Sequence, residues 1–133
     1  MIKDWQKPTK NVITIEHYMK LELPISRTGA SNQLMDTVNV EVINADNLGI
    51  WIEVGRLQDG YHTGITYVVP TGGGLGGVWR GRCGIPDKLA ALRAALRIAA
   101  KSYWITRHDG ALERIEAAIR DLDKYKAKQL TLF

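Results

Sequence analysis

Cysteine is almost absent from this sequence of 133 residues, since Cys83 is the only one. A single cysteine excludes an intrachain disulfide, which is typical of a protein made for a reducing compartment. Long apolar runs are missing as well, because no stretch approaches 18 consecutive apolar residues. The first ten residues, MIKDWQKPTK, lack the basic segment and apolar core of a signal peptide. We therefore expect a cytoplasmic protein that does not enter a membrane.

Histidine is scarce, and the acidic residues are not clustered. His17, His62 and His108 are scattered, and none lies near Cys83 or at metal-ligand spacing from another histidine. No group of carboxylates indicates the Mg²⁺ site of a nuclease. We predict no catalytic residue, metal site or cofactor, and the sequence favours a non-enzymatic protein. His62, beside the turn at Asp59, is the one candidate acid or base.

Positive and negative charges balance in the first two thirds of the chain. Residues 1–86 hold eight basic and eight acidic residues, whereas residues 87–133 hold ten basic and six acidic ones. The net charge of +4 therefore lies in the C-terminal third. This asymmetry favours an anionic partner, although a net charge of this size also serves solubility alone.

Alternation of apolar and polar residues predicts five strands in the first 86 residues. The first covers residues 11–23, with His17 on its apolar, core-facing side and Tyr18 on its polar side. The short spacings between strands indicate an antiparallel sheet. The remaining predicted strands cover residues 37–43, 50–56, 61–69 and 78–83.

The apolar period changes after Asp87. Apolar residues three and four apart, ending at Tyr103, predict an amphipathic helix, and a second such stripe from Leu112 to Leu122 predicts another. Strands followed by helices predict the α+β class, with about five antiparallel strands and two C-terminal helices packed on one face. We expect a single domain over residues 1–126 and a flexible tail over residues 127–133.

The glycine run at residues 72–77, GGGLGG, satisfies the spacing G-x-G-x-x-G. A dinucleotide site needs this run between a strand and the start of a helix. Here it leads into a predicted strand, so the sequence favours a mobile loop over residues 71–77. Whether such a loop closes over a partner stays open.

The last five residues, QLTLF, hold Leu130, Leu132 and Phe133 as a compact apolar cluster. This segment resembles the pentapeptide with which bacterial DNA polymerases, repair proteins and replication regulators bind the sliding clamp, with the pattern Gln-Leu-Ser/Asp-Leu-Phe. Thr131 stands where Ser or Asp is commonest. The resemblance covers five residues and concerns a partner, not the fold.

The resemblance implies a docking mode in a hydrophobic groove of the clamp. Gln129 would form hydrogen bonds at the entrance of the groove, and Leu130 would bridge. Leu132 and Phe133 would fill the deep pocket. The alternative is that these side chains pack on the protein's own core or in a homodimer, and loss of stability on truncation would reveal it.

Several residues of the body are candidates for contact with DNA. Arg93, Arg97 and Lys101 recur every four residues on the first predicted helix and form a basic stripe. Arg56, Arg80 and Arg82 lie on predicted strands. Trp79, with Trp51, Tyr61 and Tyr67, would stack on bases if one sheet face were open. Ordinary packing across a sheet and an ordinary solvated helix face are the alternatives.

These features predict a small accessory factor of DNA replication, repair or recombination, of bacterial, phage or plasmid origin. It would bind the sliding clamp through residues 129–133 and contact DNA through its basic helix. A clamp inhibitor that excludes polymerases is one alternative, and a DNA-binding regulator or structural module is another. Among classes of function, a nuclease-like enzyme ranks third, after the clamp-binding proteins and the DNA-binding regulator or structural module.

Overall fold

The computed structural model describes residues 7–74, 78 and 83–131, with side chains as far as residue 126. Within these residues the chain forms one five-stranded sheet and four α-helices. The α+β class predicted from the sequence is thereby confirmed. Among the helices of this described part, none has both the length and the apolar character needed to cross a bilayer.

The sheet follows the order of the chain, because its strands are arranged β1-β2-β3-β4-β5. The predicted antiparallel pairing is confirmed for β2 to β5, but β1 pairs with β2 in parallel, so the sheet is mixed. The two central hairpins have two-residue turns, since Ala45 pairs with Leu48 and Leu57 with Gly60. The strands are β1 Val12–Ile13, β2 Val38–Ala45, β3 Leu48–Leu57, β4 Gly60–Val69 and β5 Gly72–Gly74.

The first predicted strand is wrong over most of its length, because Ile15–Lys20 forms the helix α1. Thr14 caps this helix, and its hydroxyl oxygen accepts a hydrogen bond from the backbone N–H of His17 at 3.0 Å. A short apolar run fits both the strand and the helix period, so alternation alone could not decide. The helix reverses the predicted orientations: Tyr18 is fully buried and His17 is exposed.

The fifth strand also differs from the prediction. Residues 79–82, the middle of the strand predicted at 78–83, lie outside the described residues, and its ends, Val78 and Cys83, are in no strand. β5 is formed instead by three glycines of the predicted mobile loop. The lack of a side chain is needed at Gly73, where a Cβ atom would lie 2.7 Å from the backbone carbonyl oxygen of Tyr67.

Three helices follow the sheet: α2 Lys88–Ala100, α3 Tyr103–Thr106 and α4 Ala111–Thr131. Asp87 caps α2, since its carboxylate accepts a hydrogen bond from the backbone N–H of Ala90 at 2.8 Å. α2 packs on β4 and α4, and α4 packs on β2. The two predicted C-terminal helices on one face are confirmed, whereas the short helix α3 was not predicted.

The apolar core lies between the sheet and the helices. Tyr18 of α1 lies against it beside the start of α2. Burial of these side chains closes one face of the sheet to solvent, which leaves helix surfaces and loops there as places for a partner. Fully or almost fully buried members include Ile50, Ile52, Val54, Leu92, Leu96, Ile115 and Leu122.

Candidate nucleic-acid interface

The predicted basic stripe on α2 separates into one paired cation and two accessible ones. The guanidinium of Arg93 forms an ion pair with the carboxylate of Asp123 on α4, and the Arg93 side chain is 22% exposed. Arg97 and Lys101, further along α2, are exposed. Among the residues that the structure describes, neither has an ion-pair partner. Arg97 and Lys101 are thus accessible to phosphate, while Arg93 joins two helices.

The cations predicted on strands give no second basic surface among the described residues. Arg56 is half-buried, and its Nη1 donates a hydrogen bond to the backbone carbonyl of Leu23 at 3.0 Å. Its guanidinium therefore holds the end of β3 to the segment after α1. Arg80, Arg82 and the neighbouring Trp79 lie outside the described residues, and their contact with DNA stays a prediction.

The aromatic residues of β3 and β4 do not form a stacking surface. Trp51 is 1% exposed, and its Nε1 donates a hydrogen bond to Oε1 of Glu41 at 3.2 Å. Tyr61 and Tyr67 are half-buried and pack against the core on the helix side of the sheet. The hypothesis that bases stack on an open sheet face is therefore wrong for Trp51, Tyr61 and Tyr67.

Two accessible aromatic rings lie instead on α3, between α2 and α4. Tyr103 and Trp104 are 67% and 61% exposed. Their ring centroids are 5.6 Å apart and their planes cross at 70°, an edge-to-face arrangement. The next residue, Ile105, is buried in the core. α3 is thereby anchored while it presents both rings to solvent.

Arg107 fastens the end of α3 to the sheet. Its guanidinium carbon lies 5.2 Å from the centroid of the Trp104 ring, within the range of a cation–π contact. Its Nη2 also donates a hydrogen bond to Oγ1 of Thr71 at 3.0 Å, and Nε2 of His108 lies 3.3 Å from the same oxygen. Because Thr71 lies between β4 and β5, these contacts hold Trp104 in a defined place.

We call the group of Arg97, Lys101, Tyr103, Trp104 and Arg107 the aromatic corner. From residue 88 to residue 108 the sequence contains no Asp or Glu, so no carboxylate of this segment opposes the cations. The Cα atoms of Lys101 and Tyr103 lie within about 8 Å, because two peptide units span no more. Cations attract phosphates and exposed rings stack on bases, so the aromatic corner has two kinds of group that can contact a nucleic acid.

Sequence reasoning missed the aromatic corner because it assigned Tyr103 to the apolar stripe of the first helix. α2 ends at Ala100, and Ser102 precedes a new helix, so the helical period does not continue to Tyr103. The available signal was the adjacent pair Tyr103 and Trp104 in a segment with cations and no acid.

His62, the one candidate acid or base, is held inside the fold. Its side chain is 5% exposed, and Nε2 lies 2.9 Å from Oδ1 of Asp59. The other carboxylate oxygen of Asp59 accepts a hydrogen bond from the backbone N–H of Gly84 at 2.9 Å. The hydrogen bond from His62, followed by that from Gly84, lowers the pKa of Asp59. These contacts join the β3–β4 turn to the segment before α2, which is a structural role.

In the described part of the chain, no three His, Cys, Asp or Glu residues lie close enough together to hold a metal ion. The pentapeptide QLTLF lies at the edge of that part. The backbone of residues 129–131 belongs to α4, while their side chains, together with Leu132 and Phe133, lie outside the described residues.

Comparisons with known proteins found no match, whether among protein families, curated proteins or solved structures.

Proposed function

We propose that this protein is a small accessory factor of DNA replication, repair or recombination that binds the bacterial sliding clamp and acts in the cytoplasm. The observation that carries the proposal is the segment QLTLF at residues 129–133, which agrees with the clamp-binding pattern at four positions. The fifth, Thr131, is a small polar residue at a position that favours Ser or Asp.

The side chains of the pentapeptide suit a hydrophobic groove. Burial of a Leu or Phe side chain contributes roughly 1.5–3 kcal/mol. Ordering the backbone of each residue costs about 1–2 kcal/mol. For Leu130, Leu132 and Phe133 the gain from burial exceeds the ordering cost by a small margin, so the motif alone gives weak to moderate affinity.

A weak contact is sufficient if a second contact acts with it. The clamp encircles DNA, so a protein docked on it is held at high effective concentration near the duplex and near any adjoining single strand. Arg97 and Lys101 are exposed cations that suit such a contact. This pair favours an accessory factor over an inhibitor, since an inhibitor needs only the pentapeptide.

The test is a titration of a purified bacterial sliding clamp with the full-length protein, followed by displacement of a fluorescent peptide that carries a clamp-binding pentapeptide. The variant Leu132→Ala with Phe133→Ala removes two groups expected to fill the deep pocket. Thr131→Ser is the matched control, because it restores the commoner residue. Circular dichroism and the unfolding midpoint of each variant establish equal folding.

We expect the unchanged protein and Thr131→Ser to displace the peptide, and the double variant to lose at least tenfold in affinity, because buried anchors dominate such interfaces. No displacement by the unchanged protein, or equal displacement by the double variant, contradicts clamp binding. A double variant with reduced thermal stability or a changed oligomeric state assigns the pentapeptide to the protein's own core or to a homodimer.

A further inference from the structure

We propose that the aromatic corner binds single-stranded DNA, with Tyr103 and Trp104 stacked on unpaired bases and Arg97, Lys101 and Arg107 neutralising phosphates. The choice of DNA rests on the proposed function, whereas the preference for a single strand rests on the geometry of α3. Neither the clamp-binding pentapeptide nor the basic stripe on α2 implies this preference.

The exposure of the two rings is the first observation. Tyr103 and Trp104 expose 67% and 61% of their surface, although a core lies beneath them and Ile105 reaches it. Exposed aromatic side chains of this kind offer a flat apolar face, and every base has a flat face that stacks on such a ring. A single strand with splayed bases therefore matches the two rings.

The contacts that join α3 to the rest of the fold are the second observation. Oγ1 of Thr106 donates a hydrogen bond to the backbone carbonyl of Ser102 at 2.8 Å, and Ser102 is the N-cap residue of α3. Arg107 joins the end of α3 to Thr71 while it lies over the Trp104 ring. Rings that are already in place lose little conformational freedom when a base stacks on them.

The charge beside the rings is the third observation, and it argues against a purely apolar partner. Arg97 lies one turn before Lys101 on α2, about 6 Å away along the helix. Arg107 lies on the other side of Trp104 in the sequence. Asp109 is the first acid after this segment. Positive charge on both sides of two accessible rings matches a backbone with one negative charge per nucleotide.

Preference for a single strand follows from what each nucleic acid presents. In a duplex the base faces are stacked inside the helix, so Tyr103 and Trp104 reach only phosphates and groove edges. In a single strand the faces are free. The cations bind both forms through phosphates, and the rings therefore determine the difference between them.

The test measures fluorescence anisotropy of a labelled oligothymidylate of about fifteen nucleotides and of a hairpin duplex of similar charge, without clamp. Trp104→Ala and Tyr103→Ala remove one ring each, and Trp104→Phe keeps a smaller ring. Met35→Ala is the matched control, because Met35 is 60% exposed and lies in a different segment of the chain.

We expect the unchanged protein to prefer the oligothymidylate, and each alanine variant in the corner to weaken that binding roughly tenfold to a hundredfold, the usual value of one stacked base. Trp104→Phe should keep most of the affinity, and Met35→Ala all of it. Duplex binding should change little in any of the four variants.

Salt dependence tests the cations separately. Three phosphates neutralised on a single strand give a slope of log K against log salt of about −2. Lys101→Gln should reduce the slope by about 0.7, whereas Lys20→Gln, on α1, should leave it unchanged. The Lys20 side chain is 76% exposed and forms a surface ion pair with Glu16, so it serves as an exposed control lysine outside the aromatic corner.

The inference is overturned if the unchanged protein binds the duplex as tightly as the single strand, or if Trp104→Ala and Tyr103→Ala leave single-strand affinity unchanged. Failure of this inference is distinguishable from failure of clamp binding. If the unchanged protein fails to displace the peptide but binds DNA in a way that depends on Trp104, only clamp binding is rejected. If it displaces the peptide but its DNA binding does not depend on Trp104, only the role of the aromatic corner is rejected.

Discussion

Removal of the Tyr18 hydroxyl tests the contact that joins α1 to α2. Tyr18 is fully buried, and its hydroxyl donates a hydrogen bond to the backbone carbonyl of Lys88 at 2.9 Å. The ammonium of Lys88 lies 4.7 Å from the centroid of the Tyr18 ring and donates to the carbonyl of Leu21. Tyr18→Phe removes one neutral hydrogen bond and retains the ring. We expect it to lower the free energy of unfolding by about 1 kcal/mol near pH 8.

At high pH, Tyr18→Phe should no longer be less stable than the unchanged protein. Burial, followed by the charges of Tyr61 and Asp87, raises the pKa of Tyr18 well above its usual value. The unfolded chain releases the phenolic proton near pH 10, while the folded protein keeps it. The unfolded state then binds fewer protons, so stability falls as the pH rises, by about 1.4 kcal/mol at pH 11. Tyr18→Phe lacks this loss, so the two proteins should become about equally stable.

The assay is urea unfolding followed by circular dichroism at about pH 8 and about pH 11. Tyr103→Phe is the matched control, because Tyr103 is 67% exposed and its hydroxyl has no hydrogen bond among the described residues. It should match the unchanged protein at both pH values. A deficit of Tyr18→Phe that persists undiminished at the higher pH would refute the reasoning, since it would mean that the folded protein also releases the Tyr18 proton.

Two further predictions concern a helix cap and an ion pair. Asp87→Ala should lower the free energy of unfolding by about 1 kcal/mol, because the N–H of Ala90 loses its acceptor. Asp87→Asn should retain most of the stability of the unchanged protein, since Asn also caps helices. Urea unfolding at neutral pH measures both variants. Hydrogen bonds from the side chain and backbone of Arg27 lower the pKa of Asp36 to about 2. The ionised Asp36 therefore contributes to the stability of the fold above about pH 4, and this contribution is lost toward pH 2. Asp36→Asn should flatten the fall of the thermal unfolding midpoint toward acid pH. Asp46→Asn, in the β2–β3 turn, is the control. Equal pH profiles for the unchanged protein and both variants would contradict the role given to the Asp36–Arg27 pair.

The parts of the fold that local chemistry decides were predictable. Asp87 before an apolar repeat predicts the start of α2, and a long repeat over residues 112–122 predicts α4. The Asp59-Gly60 pair predicts the hairpin between β3 and β4. Each of these signals acts over a few residues, so no knowledge of the rest of the molecule is needed.

The candidate site was predictable only in part. The cations on α2 could be found from their spacing, but the side that each one faces depends on α4, whose Asp123 engages Arg93. The exposure of Tyr103 depends on where α2 ends, and helix ends are the least certain boundaries in a sequence. The aromatic corner therefore required the structure.

The sequence by itself determined the α+β class, the absence of an intrachain disulfide and the pentapeptide at residues 129–133, because composition, periodicity and a short motif need no distant contact. Tertiary structure decided that residues 15–20 form a helix, that Trp51 is buried and that Tyr103 and Trp104 are exposed. These outcomes depend on which elements pack against one another, and burial of apolar surface between distant segments outweighs the weak local preference for strand or helix.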